Sequence, residues 1–143
     1  LSGVEFRIDG EVRDLSKTLN YKGCMFSDVP NLAYTFGYTN ASWTLKADLT
    51  ALYVCRLLNT MRKRGMRQAT PVNDDPSVTP EPFLDFTSGY VQRAIEHLPK
   101  QGSKKPWRVN QNYALDVMAL RFGSVDDAMV FSNPEPARAR QAA

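Results

Sequence analysis

Apolar and polar residues alternate at the start of the chain in the pattern of a β-hairpin. The alternation runs over residues 4–8 and 11–15 and is interrupted by the pair Asp9-Gly10. An Asp-Gly pair suits the positive φ angles of a two-residue type I′ turn. A second apolar run, residues 32–36, predicts a buried strand that ends at Gly37. The first part of the chain is therefore expected to form short strands.

The longest periodic stretch runs from Ser42 to Arg64 and predicts a helix. Apolar side chains recur there every three or four residues, at Leu45, Leu49, Leu52, Cys55 and Leu58 or Met61. Alanine and valine residues fill much of the remaining surface, so the helix should be largely buried and should need more partners than this chain supplies. Asn40 or Ser42 can cap its start, and three basic residues before Gly65 suit its end.

Proline and glycine divide the rest of the chain. Four of the nine prolines lie between residues 70 and 82, which predicts an extended connector, because proline lacks a backbone donor and interrupts helices. Helices are expected at 89–98 and 111–122, the second closed by Gly123, with a disordered tail from residue 133. The predicted fold class is α/β, with a hairpin and short strands followed by three helices.

Composition and charge narrow the classes of function. The 143 residues are 43% apolar and 23% charged, which is ordinary for a globular protein. The net charge of +3 comes from scattered residues, whereas nucleic-acid-binding proteins gather basic residues on one face, so no nucleic-acid partner is expected. No apolar run approaches the roughly 20 residues of a membrane span, so we expect no transmembrane segment and a cytoplasmic protein.

The side chains of the sequence do not indicate a metal site or a hydrolytic site. Cys24 and Cys55 each lie in an apolar run, where a cysteine is usually buried, and together with the single histidine, His97, they are too few for a metal site. His97 stands at the expected end of a helix and is interpreted as structural. Lys46 and Asp48 form no evident acid–base pair, and no catalytic residue is predicted in this chain.

The chain is expected to be part of a larger protein. It begins at Leu1 rather than at a methionine, and the hairpin pattern starts almost at once. None of its eight glycines forms the GxGxxG pattern that binds the phosphates of a dinucleotide.

The most informative stretch is the one from Gly37 to Ser42, between the predicted strand and the long helix. Free backbone N–H groups and the positive end of the helix dipole at such a helix start favour an anion or a polarised carbonyl. A glycine at the turn lets a ligand or another backbone approach closely. The same spacing is also that of an ordinary connection between a strand and a helix.

A resemblance to a known family bears on this stretch. Residues 30–32 (PNL) and 37–49 (GYTNASWTLKADL) resemble the closing FAD-binding segment of class B flavoprotein monooxygenases. They are most similar to the Baeyer–Villiger branch that contains the ethionamide-activating monooxygenases. Residues 86–93, 98–103 and 106–113 resemble the C-terminal region of that subgroup in the same order. The similarity covers roughly residues 4–131.

The resemblance implies that the chain is the C-terminal part of a flavoprotein with two dinucleotide-binding domains, whose main FAD and NADPH loops lie elsewhere. Residues 1–69 would close the FAD-binding domain, 70–85 would be a connector, 86–132 a C-terminal helical extension and 133–143 a disordered tail. In this family NADPH reduces FAD, and oxygen adds to form a C4a-peroxyflavin that attacks a carbonyl or a sulfur substrate. The isolated chain would be inactive without its partners, the remaining FAD and NADPH domains.

The resemblance also implies site residues, because the start of the long helix would face the pyrimidine edge of the flavin. The cofactor-binding candidates are Gly37, Asn40, Ser42, Trp43, Thr44 and Leu45. Tyr38 and Trp43 are the candidates for a substrate pocket, whereas core packing is expected of Tyr34 and Phe36.

Two questions stay open at this point. Trp107 could contact NADPH or the substrate channel, but a surface tryptophan that anchors the tail is the favoured interpretation. The chain as a whole could also be a small non-enzymatic binding or interaction protein derived from such a segment.

Overall fold

The computed structural model describes residues 5–83 and 98–135, and it begins with the predicted hairpin. Strand β1 (Phe6–Ile8) pairs antiparallel with β2 (Glu11–Arg13). The turn residues Asp9 and Gly10 have φ angles of 53° and 88°, as a type I′ turn requires. The hairpin prediction is confirmed.

The remaining strands form three further antiparallel pairs within the described residues. Strand β3 (Asn20–Tyr21) pairs with β4 (Met25–Phe26), β5 (Gln68–Pro71) with β8 (Met129–Ser132), and β6 (Pro80–Glu81) with β7 (Gln101–Gly102). The proline-rich stretch from residue 70 to residue 82 contains no helix, both of its ends pair with strands from later in the chain, and a turn closed by the bond from the Val78 N–H to the Asp75 carbonyl interrupts it. Pro71 and Pro80 stand at the ends of their strands, where a missing N–H is tolerated.

The predicted strand at residues 32–36 is wrong as a strand. This segment is extended, and Leu32, Tyr34 and Phe36 are half-buried while the residues between them are exposed. Among the described residues its one backbone hydrogen bond joins the Tyr34 N–H to the Cys24 carbonyl, at 2.9 Å. An apolar run favours a strand, but a strand exists only where a neighbour completes its ladder.

Helix α1 (Trp43–Arg64) confirms the long helix, which ends at Gly65 with a φ of 64°. Its inner face consists of the buried residues Lys46, Leu49, Thr50, Tyr53, Leu57 and Met61. Its outer face includes the exposed residues Leu45, Leu52, Cys55 and Leu58. The apolar series predicted from the sequence therefore mixes the two faces, and only Leu49 and Met61 of that series are buried.

The next helical segment is α2 (Tyr113–Asp116), which continues as a π-helical segment over Val117–Phe122. This confirms a helical region close to the predicted 111–122. Gly123 follows it, but with a φ of −66° and not the expected left-handed conformation. A side chain there would clash with the Ala119 carbonyl oxygen, so glycine is needed for space.

Several predictions fall outside the described residues. The helix expected at 89–98 lies on residues 84–97 except for its last residue, and His97 lies there too. The tail is described only to residue 135, and Asn133 and Pro134 accept hydrogen bonds from Arg67.

The main core packs the inner face of α1 against residues from both ends of the described chain, including Tyr21, Trp107 and Leu120. Trp107 is 2% exposed and its ring meets that of Tyr21 edge-on at 5.4 Å, so the prediction of a surface tryptophan is wrong. Cys24 is buried as expected, but Cys55 is exposed and that prediction is wrong. None of the helices in the described part of the chain has the length and apolar character needed to cross a membrane.

Candidate functional site

The segment from Gly37 to Ser42 leads into α1 and folds back against its first residue. The Trp43 indole covers Gly37 so closely that any side chain at this position would clash with it. The Phe36 ring lies 5.2 Å from the Trp43 ring, centre to centre. The glycine is therefore required for a close approach between the loop and the helix start.

The middle of this loop is tied to Gln111, just before α2. The backbone N–H and the hydroxyl of Thr39 both donate to the Gln111 side-chain oxygen, at 3.0 and 3.3 Å. The Asn40 side-chain amide donates to the Gln111 carbonyl at 3.3 Å. Asn40 lies two residues before Ser42, which occupies the N-cap position, so Asn40 does not cap the helix and that expectation is wrong.

The first turn of α1 has no side-chain cap. Ser42 occupies the N-cap position but forms no capping bond, and its hydroxyl instead meets the Thr44 hydroxyl at 2.7 Å. The Leu45 N–H donates to the Ser42 carbonyl at 3.3 Å, and the N–H groups before it are left at the positive end of the helix dipole without a side-chain cap. Five of the six predicted cofactor-binding residues lie exposed around this turn: Asn40, Ser42, Trp43, Thr44 and Leu45. The sixth, Gly37, is buried beneath Trp43.

Tyr38 points in the opposite direction, into the chain. It is 2% exposed, and its hydroxyl donates to Asp116 Oδ2 at 2.7 Å. Burial, together with this bond to a carboxylate, raises the pKa of Tyr38 above its ordinary value. The Tyr113 ring packs against it edge-on. Tyr38 is thus separated from Trp43, the other substrate-pocket candidate, which is 57% exposed.

Asp116 also forms a buried ion pair that sequence reasoning missed. Lys46 Nζ lies 2.8 Å from Asp116 Oδ2, and each side chain is 3% exposed. Asp48, by contrast, is exposed on α1. The available signal was that Lys46 is in phase with Leu49 and Tyr53 on the inner face. Nothing local indicated its partner, which is 70 residues away in the sequence.

A second buried lysine lies nearby. Lys22 has a side chain that is 5% exposed; its Nζ donates to the Ser124 carbonyl at 2.6 Å and lies 3.7 Å from an Asp127 carboxylate oxygen. Burial lowers its pKa from the ordinary value. Beside it, Tyr21 and Tyr53 join their hydroxyls at 3.2 Å, and burial raises the pKa of the Cys24 thiol to about 12.

A cleft of about 240 Å³ opens beside these groups. Its lining includes Lys22, Arg108, Leu115, Asp116 and Asp127. Within residues 5–83 and 98–135, no three His, Cys, Asp or Glu side chains come together as a metal site. The buried charges are paired, so they suit a role in holding the fold or the loop in position.

Comparison with known proteins gives three informative relatives. The chain is 51% identical over 125 residues to the FAD-containing monooxygenase EthA of Mycobacterium tuberculosis, an alignment that covers 87% of this chain and 26% of that protein. It is 48% identical over 125 residues to the FAD-containing monooxygenase EthA of Mycolicibacterium smegmatis, with 87% and 25% covered. It is 45% identical over 131 residues to the "Probable FAD-binding monooxygenase AlmA" of Acinetobacter baylyi, with 91% and 26% covered.

The chain thus spans about a quarter of the length of these relatives. No protein-family model matches it. No solved structure matches it either.

Proposed function

Because the chain is related to a segment of FAD-containing monooxygenases, we propose that it closes the FAD site of an FAD- and NADPH-dependent monooxygenase of the Baeyer–Villiger type. The names of the relatives, FAD-containing and FAD-binding monooxygenases, support the monooxygenase and FAD parts of the proposal. NADPH as the reductant, a small carbonyl or sulfur compound as the substrate, and a cytoplasmic location are parts of the proposal. The observation that carries it is the uncapped start of α1 behind Gly37.

The residues at this helix start fit a flavin. FAD is polyanionic, and its reduced ring carries negative charge near N1 and the C2 carbonyl, which suits the positive end of a helix dipole. The uncapped first turn of α1 offers N–H donors, and the exposed Asn40, Ser42 and Thr44 add polar side chains. No GxGxxG loop is present, so this chain would contribute one wall of the site and the rest of the protein the phosphate-binding loops.

When bound, FAD supplies the redox and oxygen-transfer chemistry. The residues of this chain would bind and orient it. Gly37 lets the loop lie close to the helix start, and the N–H groups of the first turn would face the polar edge of the ring. Trp43 and Leu45 present apolar surface beside these donors, which would keep water away from the ring and strengthen the hydrogen bonds made there.

Two features of this chain support the proposal that other domains of a longer parent protein pack against it. The outer face of α1 exposes the leucines Leu45, Leu52 and Leu58, whose side chains a neighbouring domain could bury. The extended segment 32–36 has backbone groups that a neighbouring strand could bind. We propose that FAD and NADPH domains cover these surfaces, with residues 1–69 closing the FAD domain, 70–85 connecting and 86–132 extending it.

The test is flavin retention by the parent protein after substitution at the helix start. Thr44→Glu should favour the helix, because a carboxylate in the first turn suits the dipole, yet it should repel the negatively charged flavin edge. We expect the substituted protein to melt no lower than the parent and to lose FAD on gel filtration. Glu11→Gln in the distant hairpin is the control. Unchanged FAD occupancy in Thr44→Glu would contradict the placement.

A second test concerns the chain without the rest of the protein. We expect the 143-residue chain to show no flavin-dependent NADPH consumption, because the dinucleotide loops are outside it. A soluble chain that consumes NADPH when FAD is added would overturn this part of the proposal. A folded chain whose parent gene encodes no dinucleotide-binding domain would favour a binding protein instead.

A further inference from the structure

The buried carboxylate of Asp116 binds one group within the candidate flavin loop, residues 37–42, and one group in the helix that follows it. One is the Tyr38 hydroxyl, from the residue directly after Gly37, at 2.7 Å. The other is the Lys46 ammonium, from the first turns of α1, at 2.8 Å. Both bonds end on the same oxygen, Oδ2. Both ends of the segment from residue 38 to residue 46 are therefore hydrogen-bonded to the same atom, Asp116 Oδ2.

The chain just before Asp116 also binds the middle of the loop at residues 37–42. Gln111, five residues before Asp116, accepts hydrogen bonds from Thr39 and Asn40. The loop is therefore held at its start, its middle and the helix that follows by residues 111–116. These residues are distant in sequence from the loop, so the contacts are not a by-product of local chain geometry.

The bonds to Asp116 are of a kind that specifies position. Charge-assisted hydrogen bonds are short and directional, and they strengthen where water is excluded. Lys46 and Asp116 have side chains that are 3% exposed. Burial and the neighbouring carboxylate raise the pKa of Tyr38, which keeps its hydroxyl protonated and therefore a donor. Gly23 leaves room for this arrangement, because a side chain there would press within 3.1 Å of Lys46 Nζ.

We infer that Asp116 is a positioning residue for the flavin: through Tyr38 and Lys46 it holds the loop at residues 37–42 against the start of α1 in the geometry that binds FAD. This inference rests on the proposed function. Asp116 itself acts through its two partners, because it lies beneath the loop and its carboxylate is used by them. Binding groups must be held to within a fraction of an ångström to act together, so loss of this anchor should be felt at the flavin.

The experiment uses the flavin-loaded parent protein and compares two buried tyrosines. Tyr38→Phe removes only the hydroxyl that reaches Asp116. Tyr53→Phe is the matched control, since it removes a buried hydroxyl that binds Tyr21 and is remote from the loop in its contacts. A hydrogen bond to a charged group corresponds to roughly a tenfold change in an equilibrium constant. We expect Tyr38→Phe to raise the dissociation constant of FAD by about that factor and to shift the visible flavin spectrum.

Tyr53→Phe should leave both properties within about twofold of the parent, even if it lowers the melting temperature. Asp116→Asn keeps the shape of the side chain and an acceptor oxygen, so it should retain part of the FAD affinity, whereas Asp116→Ala should retain less. Equal FAD affinity and identical spectra in Tyr38→Phe and Tyr53→Phe would overturn the inference. If Thr44→Glu also left FAD in place, the proposed function would fail as well, so the two failures are distinguishable.

Discussion

The two faces of α1 are distributed in a way that hydrophobicity alone does not explain. The inner face buries a lysine, Lys46, and a threonine, Thr50, among its apolar residues. The outer face exposes three leucines, Leu45, Leu52 and Leu58. Residue type alone predicts the opposite, with the lysine and the threonine exposed and the leucines buried.

The inner face tolerates Lys46 because Asp116 neutralises it at 2.8 Å and because its aliphatic stem is itself apolar. The outer leucines lack a comparable cover among the described residues. The inner face is therefore covered by residues of this chain, whereas we propose that the parent protein covers the outer face. Four predictions test that difference, from the largest expected effect to the smallest.

Breaking the buried pair should have the largest effect. Lys46→Ala leaves the Asp116 carboxylate buried without its cation, and such a change typically costs about 3–5 kcal/mol in free energy of unfolding. Denaturant unfolding of the parent protein measures it, with the exposed Lys63→Ala on the same helix as the control. Replacing both partners, Lys46→Met with Asp116→Leu, should recover most of the loss. A small loss in Lys46→Ala alone would mean that the pair is not shielded from water.

The neighbouring residues Leu57 and Leu58 give a direct comparison of the two faces. Leu57 is 5% exposed and Leu58 is 55% exposed. Leu57→Ala should cost about 2–5 kcal/mol, because it leaves a cavity in the core. Leu58→Ala should cost less than about 0.5 kcal/mol in the chain alone and more in the parent protein if the outer face is covered there. Melting temperatures of both variants in both contexts test this, and equal small effects of Leu58→Ala in the two contexts would contradict the proposed cover.

Alkaline pH should lower the free energy of unfolding through two buried tyrosines, Tyr53 on the inner face of α1 and Tyr21, which contacts it. Burial raises the pKa values of Tyr21 and Tyr53 above the ordinary 10.0, so their contribution to stability is complete below pH 10 and is lost as the pH rises beyond it. The loss should approach about 1.4 kcal/mol per pH unit for each tyrosine. Lys22 acts in the opposite sense, since its lowered pKa makes its penalty fall as the pH approaches 10.5. Between pH 9 and pH 11, the free energy of unfolding should fall less steeply with pH in Tyr53→Phe than in the parent chain. The same dependence on pH in both proteins would argue against ionisation of these tyrosines on unfolding.

Thiol labelling should distinguish the two faces with the smallest perturbation. Cys55 is exposed on the outer face, whereas Cys24 is buried and its thiol has a pKa raised to about 12. Because the thiolate is the reactive form, Cys55 should react readily in the folded chain and Cys24 only after unfolding. Mass spectrometry of the labelled peptides measures this. Protection of Cys55 in the parent protein would support the proposed cover, whereas labelling of Cys24 in the folded chain would contradict the buried core.

The hairpin and α1 were predictable because their signals are local. The Asp9-Gly10 pair specifies its own turn, and the periodic run before Gly65 specifies a helix whose hydrogen bonds join residues four apart. The resemblance to flavoprotein monooxygenases was readable for a similar reason, since it is carried by contiguous blocks of residues. These features survive in a chain that spans about a quarter of its relatives' length.

Other features depended on contacts between residues distant in the sequence. Residues 32–36 have the composition of a strand but no partner to complete the ladder among the described residues. Lys46 found its partner 70 residues away, and Trp107 entered the core against Tyr21 although its own surroundings in the sequence are polar and basic. Turns and helix ends follow from the chain's local chemistry, whereas burial and ion pairing are properties of surfaces that meet only after the chain has folded.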